Sequence, residues 1–199
     1  TRLLMKKILV LSILLFSIIQ SVKSQDYINP LDFRLQLSGT FGELRSNHFH
    51  AGIDLKTKGV EGQKVYAIAD GYVSRIKSSS YGYGKAVYIT HYDGKTSVYA
   101  HLQKFSIKID TIIKKQQYKS EKFDINVFLK KDSIKVKQGE VIALSGNSGS
   151  SGGAHLHFEI RDTETEHPLN PLDYGFQVLD KIPPLLKLSL IHISEPTRR

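Results

Sequence analysis

The sequence has 199 residues and contains no cysteine. Its length suits one domain with extensions and is sufficient to bury a hydrophobic core. Apolar residues make up 40% of the chain and charged residues 24%, which is typical of a globular protein and not of a disordered one. The lack of cysteine excludes disulfide frameworks, iron–sulfur clusters, cysteine-based zinc fingers, thiol nucleophiles and lipid attachment at a cysteine. Any metal ion must therefore be bound by histidine and carboxylate side chains.

The net charge of +9 is distributed unevenly along the chain. Residues 25–187 contain 22 of the 28 basic residues and 18 of the 19 acidic residues, which leaves this part a net charge of +4. Within it, residues 103–138 contain ten lysines and four acidic residues, an excess of +6. Because the positive charge is local and the body is nearly balanced, no nucleic-acid partner is expected.

The start of the chain is expected to lie outside the folded domain. Two lysines follow Met5, an apolar run extends from Ile8 to Ile19, and small residues precede Gln25. This order predicts a secretory signal peptide over residues 5–24, cleaved near its end, and export to the periplasm or the extracellular space. A transmembrane anchor is the alternative, but the run is shorter than the ~20 apolar residues that a spanning helix needs. No stable membrane span is expected after cleavage.

The end of the chain is also expected to lie outside the domain. Residues 188–199 resemble the translation of a sequencing adapter, and residues 176–187 are then expected to begin a C-terminal region that continues past Lys187. A strand is the alternative, because apolar and polar residues alternate from Leu188 to Ile193. His192 therefore takes no part in the site predictions.

The remaining residues, 25–175, have the pattern of a β domain. Apolar segments alternate with turn residues and predict strands over residues 64–69, 72–76, 86–91, 96–101, 140–145 and 155–161. The sequence Tyr92-Asp-Gly-Lys95 predicts a hairpin turn between the third and fourth of these strands. Residues 106–118 predict a short basic helix, followed by a strand over 123–129. This organisation favours an all-β, mainly antiparallel domain with a small helical insert.

Two histidines lie in the last predicted strand. Because side chains alternate along a strand, His155 and His157 face the same side, with their Cβ atoms ~7 Å apart. That separation suits one metal ligand beside one catalytic neighbour. Two solvated histidines on an exposed strand are an equally good explanation of the pattern alone.

A second candidate pair is His50 and Asp54. Residues four apart on a straight strand are ~13 Å distant, so a kink at Gly52 is needed for them to share an ion. Two histidines and one aspartate would make a three-ligand set with the fourth position left to water, which is typical of catalytic zinc. Taken alone, this pair is more simply explained as a loop histidine and a capping aspartate.

Several segments together resemble the lysostaphin/LytM-type zinc metallopeptidases, which are peptidoglycan endopeptidases. The resemblance rests on Phe49-His-Ala-Gly-Ile-Asp54, on Val98-Tyr-Ala-His-Leu102, and on the glycine-rich stretch from Gly146 to Gly153 with the following Ala-His-Leu-His-Phe-Glu159. Residues 65–73 are also similar to the family. The resemblance covers roughly residues 35–175, and it implies an antiparallel β fold with an open groove.

The resemblance also implies roles for five residues. His50, Asp54 and His157 would be the ligands of one zinc ion, and His101 and His155 the paired catalytic histidines. Zinc would activate a water molecule and polarise the scissile carbonyl, while one imidazole moves protons and the other donates to the oxyanion. Which histidine does which is left open.

Other residues are weaker candidates. His48 could compete as a ligand, but only His50 has an aspartate at the family spacing. His91 and His167 are interpreted as structural and loop residues, and Glu159 as a residue that orients a ligand or as an exposed strand residue. Family members have a tyrosine upstream of the first ligand that assists the transition state; this chain has none there, and Arg45 is a candidate for part of that role.

The expected function is a secreted zinc endopeptidase, acting as a monomer, that hydrolyses peptide cross-links of bacterial peptidoglycan. A catalytically inactive, peptidoglycan-binding regulator of another hydrolase is the alternative. Family members cut either glycine bridges or D-alanyl-diaminopimelate cross-links; the signal peptide and the insert favour a Bacteroidota-like Gram-negative source, and hence the second bond. The lysine-rich insert, 103–138, is expected to form a wall of the substrate groove, or else a solvated face with no substrate role.

Overall fold

The structure is a computed structural model, and it describes residues 26–46 and 48–179. The predicted signal peptide, 5–24, and residues 188–199 lie outside the described residues, as does most of 176–187. The strands are β1 (Leu37–Gly39), β2 (Ile53–Lys56), β3 (Lys64–Tyr66), β4 (Gly71–Ser78), β5 (Ala86–His91), β6 (Lys95–Ala100), β7 (Lys104–Phe105), β8 (Ile125–Phe128), β9 (Lys135–Val136), β10 (Val141–Leu144), β11 (His155–Asp162) and β12 (Pro168–Leu169). One α-helix, α1 (Ile107–Ser120), precedes β8, and a short 3₁₀ helix (Pro171–Tyr174) follows β12.

Most strands form one antiparallel sheet with the order β1-β2-β11-β6-β5-β4-β8, to which β12 and β9 add at β11 and β4. A smaller sheet, β3-β10-β7, supplies the other side of the core. Among the described residues, no helix is long and apolar enough to cross a membrane. The expected all-β, mainly antiparallel fold with one helical insert is confirmed.

Successive side chains of β11 point to opposite faces of the large sheet, so this strand contributes to both the core and the site. Leu156, Phe158 and Ile160 have no exposed surface and pack into the main core. His157 and Glu159 lie between them in sequence and face the other side, where they are also buried. Burial on that second face is unusual for charged groups and requires partners.

The predicted hairpin turn between β5 and β6 is confirmed, but the predicted strand over 64–69 is shorter than expected. Only Lys64–Tyr66 pairs in a sheet. Beyond Tyr66, the backbone of Ile68 does not pair with a neighbouring strand. Its N–H donates to the hydroxyl of Tyr99 at 3.0 Å, and its carbonyl accepts from the side chain of Gln138 at 3.0 Å. Groups from distant segments, among them the backbone of Ile28, therefore take the place of a strand partner at Ile68, which a local pattern cannot indicate.

The lysine-rich insert does not line the groove. Helix α1 buries Ile109 and Ile113 and packs against β4, β7 and β8. Strand β8 pairs with β4 and forms one edge of the large sheet, whereas β1 and β2 lie at the other edge. Neither cavity that includes candidate site residues is lined by any residue of 103–138. The expectation that this segment forms a groove wall is therefore wrong for the described structure, and its lysines lie on a solvated face.

Candidate metal centre

The candidate ligands come together because β2 and β11 are hydrogen-bonded neighbours. In their antiparallel register, Asp54 lies directly opposite His157, and Lys56 opposite His155. On the other side of β11, His157 lies opposite Ala100, the last residue of β6. His101 follows immediately, so the ends of three adjacent strands supply the site. The register of the sheet thus brings together residues more than 100 positions apart in sequence.

Gly52 contributes in a different way from the predicted kink. It does not have a positive φ. A Cβ atom at this position would lie 2.3 Å from the carbonyl oxygen of Phe158, which is closer than real Cβ contacts. Gly52 therefore allows the backbone before β2 to approach β11, and this approach brings His50 over Asp54.

Three donor atoms converge at this point. Nε2 of His50 lies 3.1 Å from Oδ1 of Asp54 and 3.0 Å from Nδ1 of His157, and the last two atoms are 3.0 Å apart. A tetrahedral zinc ion with bonds of 2.0–2.1 Å has its ligand atoms about 3.3 Å apart. The three atoms form such a face within a few tenths of an ångström, and they are the group in the described part of the chain that could hold a metal ion.

Contacts on the outer side of the two candidate ligand histidines fix their tautomers. Nδ1 of His50 lies 2.7 Å from the carbonyl oxygen of Thr40, and Nε2 of His157 lies 2.7 Å from Oε1 of Glu159. Both partners can only accept, so these outer nitrogens carry the protons. The inner nitrogens, Nε2 of His50 and Nδ1 of His157, are therefore the ones left to bind either a cation or a proton shared with Asp54.

The electrostatics agree with a site for a cation. Burial alone would raise the pKa of Asp54, but hydrogen bonds from His155, His157 and His50 hold it well below its usual range. Burial opposes charge on His157, yet Asp54 and Glu159 raise its pKa to about 9. Without a metal ion, a proton on His157 thus balances the two carboxylates. With one, the metal charge would take the place of that proton.

Arg45 supports Asp54 and also lines the cavities beside it. Its Nη2 donates to Oδ2 of Asp54 at 2.8 Å and lies 3.2 Å from Glu43. A Cβ atom on Gly39 would lie 2.4 Å from this Nη2, so the glycine provides the space for the guanidinium. Arg45 therefore fixes this carboxylate, whose other oxygen faces the histidines, and its candidate role in assisting the transition state stays a prediction.

A buried network holds His157 from behind. Glu159, which has no exposed surface, accepts from His157, from Nε of Arg161 at 2.6 Å and from the hydroxyl of Tyr83. The Tyr83 ring stacks on the imidazole of His157 with a centroid separation of 5.2 Å. The sequence interpretation missed both Tyr83 and Arg161. Alternation along β11 could have indicated Arg161, but Tyr83 reaches the network from a distant loop.

His101 and His155 form a second pair beside the three donors. Their ring centroids are 4.8 Å apart, and Nε2 of His155 lies 3.5 Å from Oδ1 of Asp54. Nδ1 of His101 donates to the Ser148 carbonyl, and Nδ1 of His155 to the Gly153 carbonyl, each at 2.8 Å. The glycine-rich loop therefore binds both outer nitrogens and leaves each Nε2 as the nitrogen that can exchange a proton.

Two further properties distinguish His101. Burial is the main reason that its pKa falls to about 4, so it is neutral at neutral pH. Its backbone has φ 56°, a left-handed conformation that is costly outside glycine and that clusters at functional sites. Its N–H is held by the carbonyl of Tyr83 at 2.9 Å.

The other histidines are placed as expected. His48 is exposed and lines the cavity that contains the three donors, but it is not one of them. Nδ1 of His91 lies 3.0 Å from the Asp70 carbonyl and its Nε2 2.8 Å from Oγ of Ser97, away from the site. His167 is exposed in a loop.

Comparison with known proteins identifies the family. A sequence profile described as peptidase family M23 matches residues 48–121 and 123–171, which include every residue of the converging set. The chain belongs to peptidase family M23. The resemblance to lysostaphin/LytM-type peptidases is thereby confirmed.

Two relatives are described as having different functions. The chain is 33% identical over 150 residues to the DD-carboxypeptidase/endopeptidase Mpg of Neisseria meningitidis, covering 73% of this chain and 28% of that protein. It is 34% identical over 135 residues to the murein hydrolase activator NlpD of Escherichia coli, covering 68% and 28%. The chain thus spans about a quarter of the length of these curated relatives. Among solved structures, a zinc-containing peptidase from Vibrio cholerae is similar with a TM-score of 0.53 and 25% identity, covering 73% of this chain and 39% of that one.

Proposed function

We propose that the chain is an exported zinc-dependent endopeptidase that hydrolyses peptide cross-links of bacterial peptidoglycan. The observation that carries this proposal is the convergence of three donor atoms, 3.0–3.1 Å apart, next to two histidines whose Nδ1 atoms are bound to loop carbonyls. The matching domain is proposed to cover residues 25–175, with 103–138 as an insert.

His50, Asp54 and His157 would hold one zinc ion and leave a fourth position open. A bound zinc ion supplies a Lewis acid for the scissile carbonyl and lowers the pKa of a water molecule to about 7. Glu159 and the Thr40 carbonyl keep the two histidines in the tautomers that bind metal. Arg45 orients the Asp54 carboxylate from its other oxygen.

His101 and His155 are the residues proposed to move protons. Each has Nδ1 bound to a loop carbonyl, so each Nε2 can accept a proton from the attacking water and return it to the leaving amine. Once protonated, either can donate a hydrogen bond to the negative oxygen that develops on the substrate. Their proximity to one another allows a division of these roles between the two rings.

The substrate and the place of action are inferred from relatives. The endopeptidase relative and the murein hydrolase activator both support the peptide stems of peptidoglycan as the partner. The export signal predicted for residues 5–24 would bring the chain to this substrate. No nucleic-acid partner is proposed, and we expect a monomer.

The second candidate function is an inactive, peptidoglycan-binding activator of another cell-wall hydrolase. The observation that favours it is the similarity to NlpD, whose sequence identity with this chain, 34%, is about the same as the 33% of the endopeptidase. The complete set of three donors and two histidines favours the enzyme, since an activator would not need a pair of proton carriers.

The two functions are distinguished by digestion of purified peptidoglycan with the zinc-loaded chain. The enzyme should release fragments with new peptide termini, identified by mass spectrometry, and His101→Ala should release none while binding zinc. An activator should release no termini itself but should accelerate a second hydrolase. Stoichiometric zinc without new termini on any wall chemistry would contradict the proposed enzyme.

A further inference from the structure

A second cavity adjoins the candidate metal centre. Its volume is about 690 Å³, and it shares Arg45, Asp54 and His155 with the site. It extends away from the three donors between the segment before β1 and the end of β2. Its position next to both a proposed ligand and a proposed proton carrier makes it the place where one side of a bound substrate would lie.

The lining of this cavity is cationic for reasons visible in the fold. Leu35 is fully buried in the core, so the flanking residues Arg34 and Gln36 lie on the opposite, exposed side and line the cavity. On β2, Asp54 and Lys56 share a face by the same alternation. Lys58 follows two residues later and also lines the cavity.

These cations are not neutralised within the described structure. Over residues 26–46 and 48–179, no carboxylate oxygen lies within 4.0 Å of the charged nitrogens of Arg34, Lys56 or Lys58. The lining contains one carboxylate, that of Asp54, and Arg45 together with the histidines already binds it. The cavity thus presents three exposed positive charges without counter-charges.

One of these cations is also held in position. The Lys58 ammonium lies 4.2 Å from the centroid of the Phe33 ring, a contact that orients the cation and leaves its charge intact. An array of like charges beside a reaction centre favours an anionic ligand, mainly by speeding its association and lowering KM. A neutral glycine bridge offers no group for such an array.

We propose that this cavity is the subsite for the carboxylate-bearing part of the substrate peptide, so that the enzyme prefers cross-links whose stem peptides carry free carboxylates over neutral ones. The inference rests on the proposed function, and it names the substrate class and the residues that select it. It also places the charge selection on Arg34, Lys56 and Lys58 and not on the lysine-rich insert.

The test compares two cross-linked peptide dimers that differ only in whether the stem carboxylates are free or amidated. For the zinc-loaded full chain, kcat/KM should be about tenfold higher with the free acid, through KM, since each exposed pair contributes modestly. The preference should decline as salt is raised. In the triple variant Arg34→Gln/Lys56→Gln/Lys58→Gln, the two substrates should become equivalent, with zinc content unchanged.

A matched control removes the same charge elsewhere. Lys115→Gln/Lys119→Gln/Lys122→Gln lies on exposed positions of the insert and should keep the preference. Equal kcat/KM for both dimers in the wild-type chain would overturn the inference, as would a preference that survives the cavity variant or disappears in the control.

Binding measurements test this inference independently of the proposed enzyme activity. The same two dimers are titrated calorimetrically into the wild-type chain and both triple variants. Selective binding of the free acid without turnover would support the proposed subsite and contradict the proposed enzyme activity. Turnover of both dimers without selective binding would support the proposed enzyme activity and contradict the proposed subsite.

Discussion

Asp54 and His157 face each other across the β2–β11 pair, with Oδ1 and Nδ1 3.0 Å apart. A carboxylate and an imidazole at this distance hold a proton when no metal ion is present, and both are available to a cation when one is. Each is fixed on its other side, Asp54 by Arg45 and His157 by Glu159. The pair therefore keeps its geometry whichever cation it binds.

Loss of His50 should remove the metal. His50→Ala removes one of the three proposed protein ligands, and most of the zinc affinity should be lost with it. The zinc content of the purified variant, measured by atomic emission, should fall well below one ion per chain. His167→Ala, which removes an exposed loop histidine, is the control and should retain zinc. Full zinc occupancy in His50→Ala would show that the ligand set is wrong.

The hydrogen bond behind His157 should tune metal affinity. Glu159→Gln removes the negative charge that fixes the His157 tautomer, and we expect zinc affinity to fall about 10- to 100-fold. Competition with a chelator of known affinity measures the change. Glu164→Gln, on an exposed turn, should have no effect. An unchanged dissociation constant in Glu159→Gln would exclude a positioning role for this network.

A methyl group at position 52 should separate the two strands. The added Cβ of Gly52→Ala would meet the Phe158 backbone at 2.3 Å, so β2 must move away from β11. We expect a loss of about 1–3 kcal/mol in the free energy of unfolding, together with weaker zinc binding. Urea denaturation and metal analysis report the two effects. In Gly152→Ala the new atom has no neighbour within 4 Å, and neither property should change by more than about 0.5 kcal/mol.

Stability should depend on pH through His91. Burial is the main reason that its pKa lies below 6.5, so the folded state binds fewer protons there than the unfolded state. Its contribution to stability is present above about pH 6.5 and is lost as the pH falls, by up to about 1.4 kcal/mol per pH unit of the pKa difference.

The variant His91→Gln isolates this contribution. It removes the titrating ring, so the difference in unfolding free energy between wild type and variant should shrink as the pH is lowered from 7.5 to 5. The comparison uses the metal-free chain, in which the other titrating groups are common to both proteins. A difference that stays constant over this range would contradict the burial of a neutral His91.

The sequence predicted the features that depend on local residue patterns and on the spacing of motifs that resemble a known family. The β5–β6 hairpin follows from its turn residues, and the grouping of His50 with Asp54 and His157 follows from the resemblance to a known family. Tyr83 could not be predicted, because it reaches Glu159 from a loop 76 positions away. The position of the insert could not be predicted either, since it depends on β8 pairing with β4 and not on the composition of the insert.

The most direct measurement is the turnover of cross-linked peptidoglycan peptides as zinc is titrated into the metal-free chain. Turnover should be absent before zinc is added, should rise in proportion to zinc and should stop rising at one ion per chain. In His155→Ala the same titration should bind one ion with turnover reduced roughly 10²- to 10⁴-fold. Turnover in the metal-free chain, or one bound zinc ion per wild-type chain without turnover, would contradict a zinc endopeptidase built on His50, Asp54 and His157.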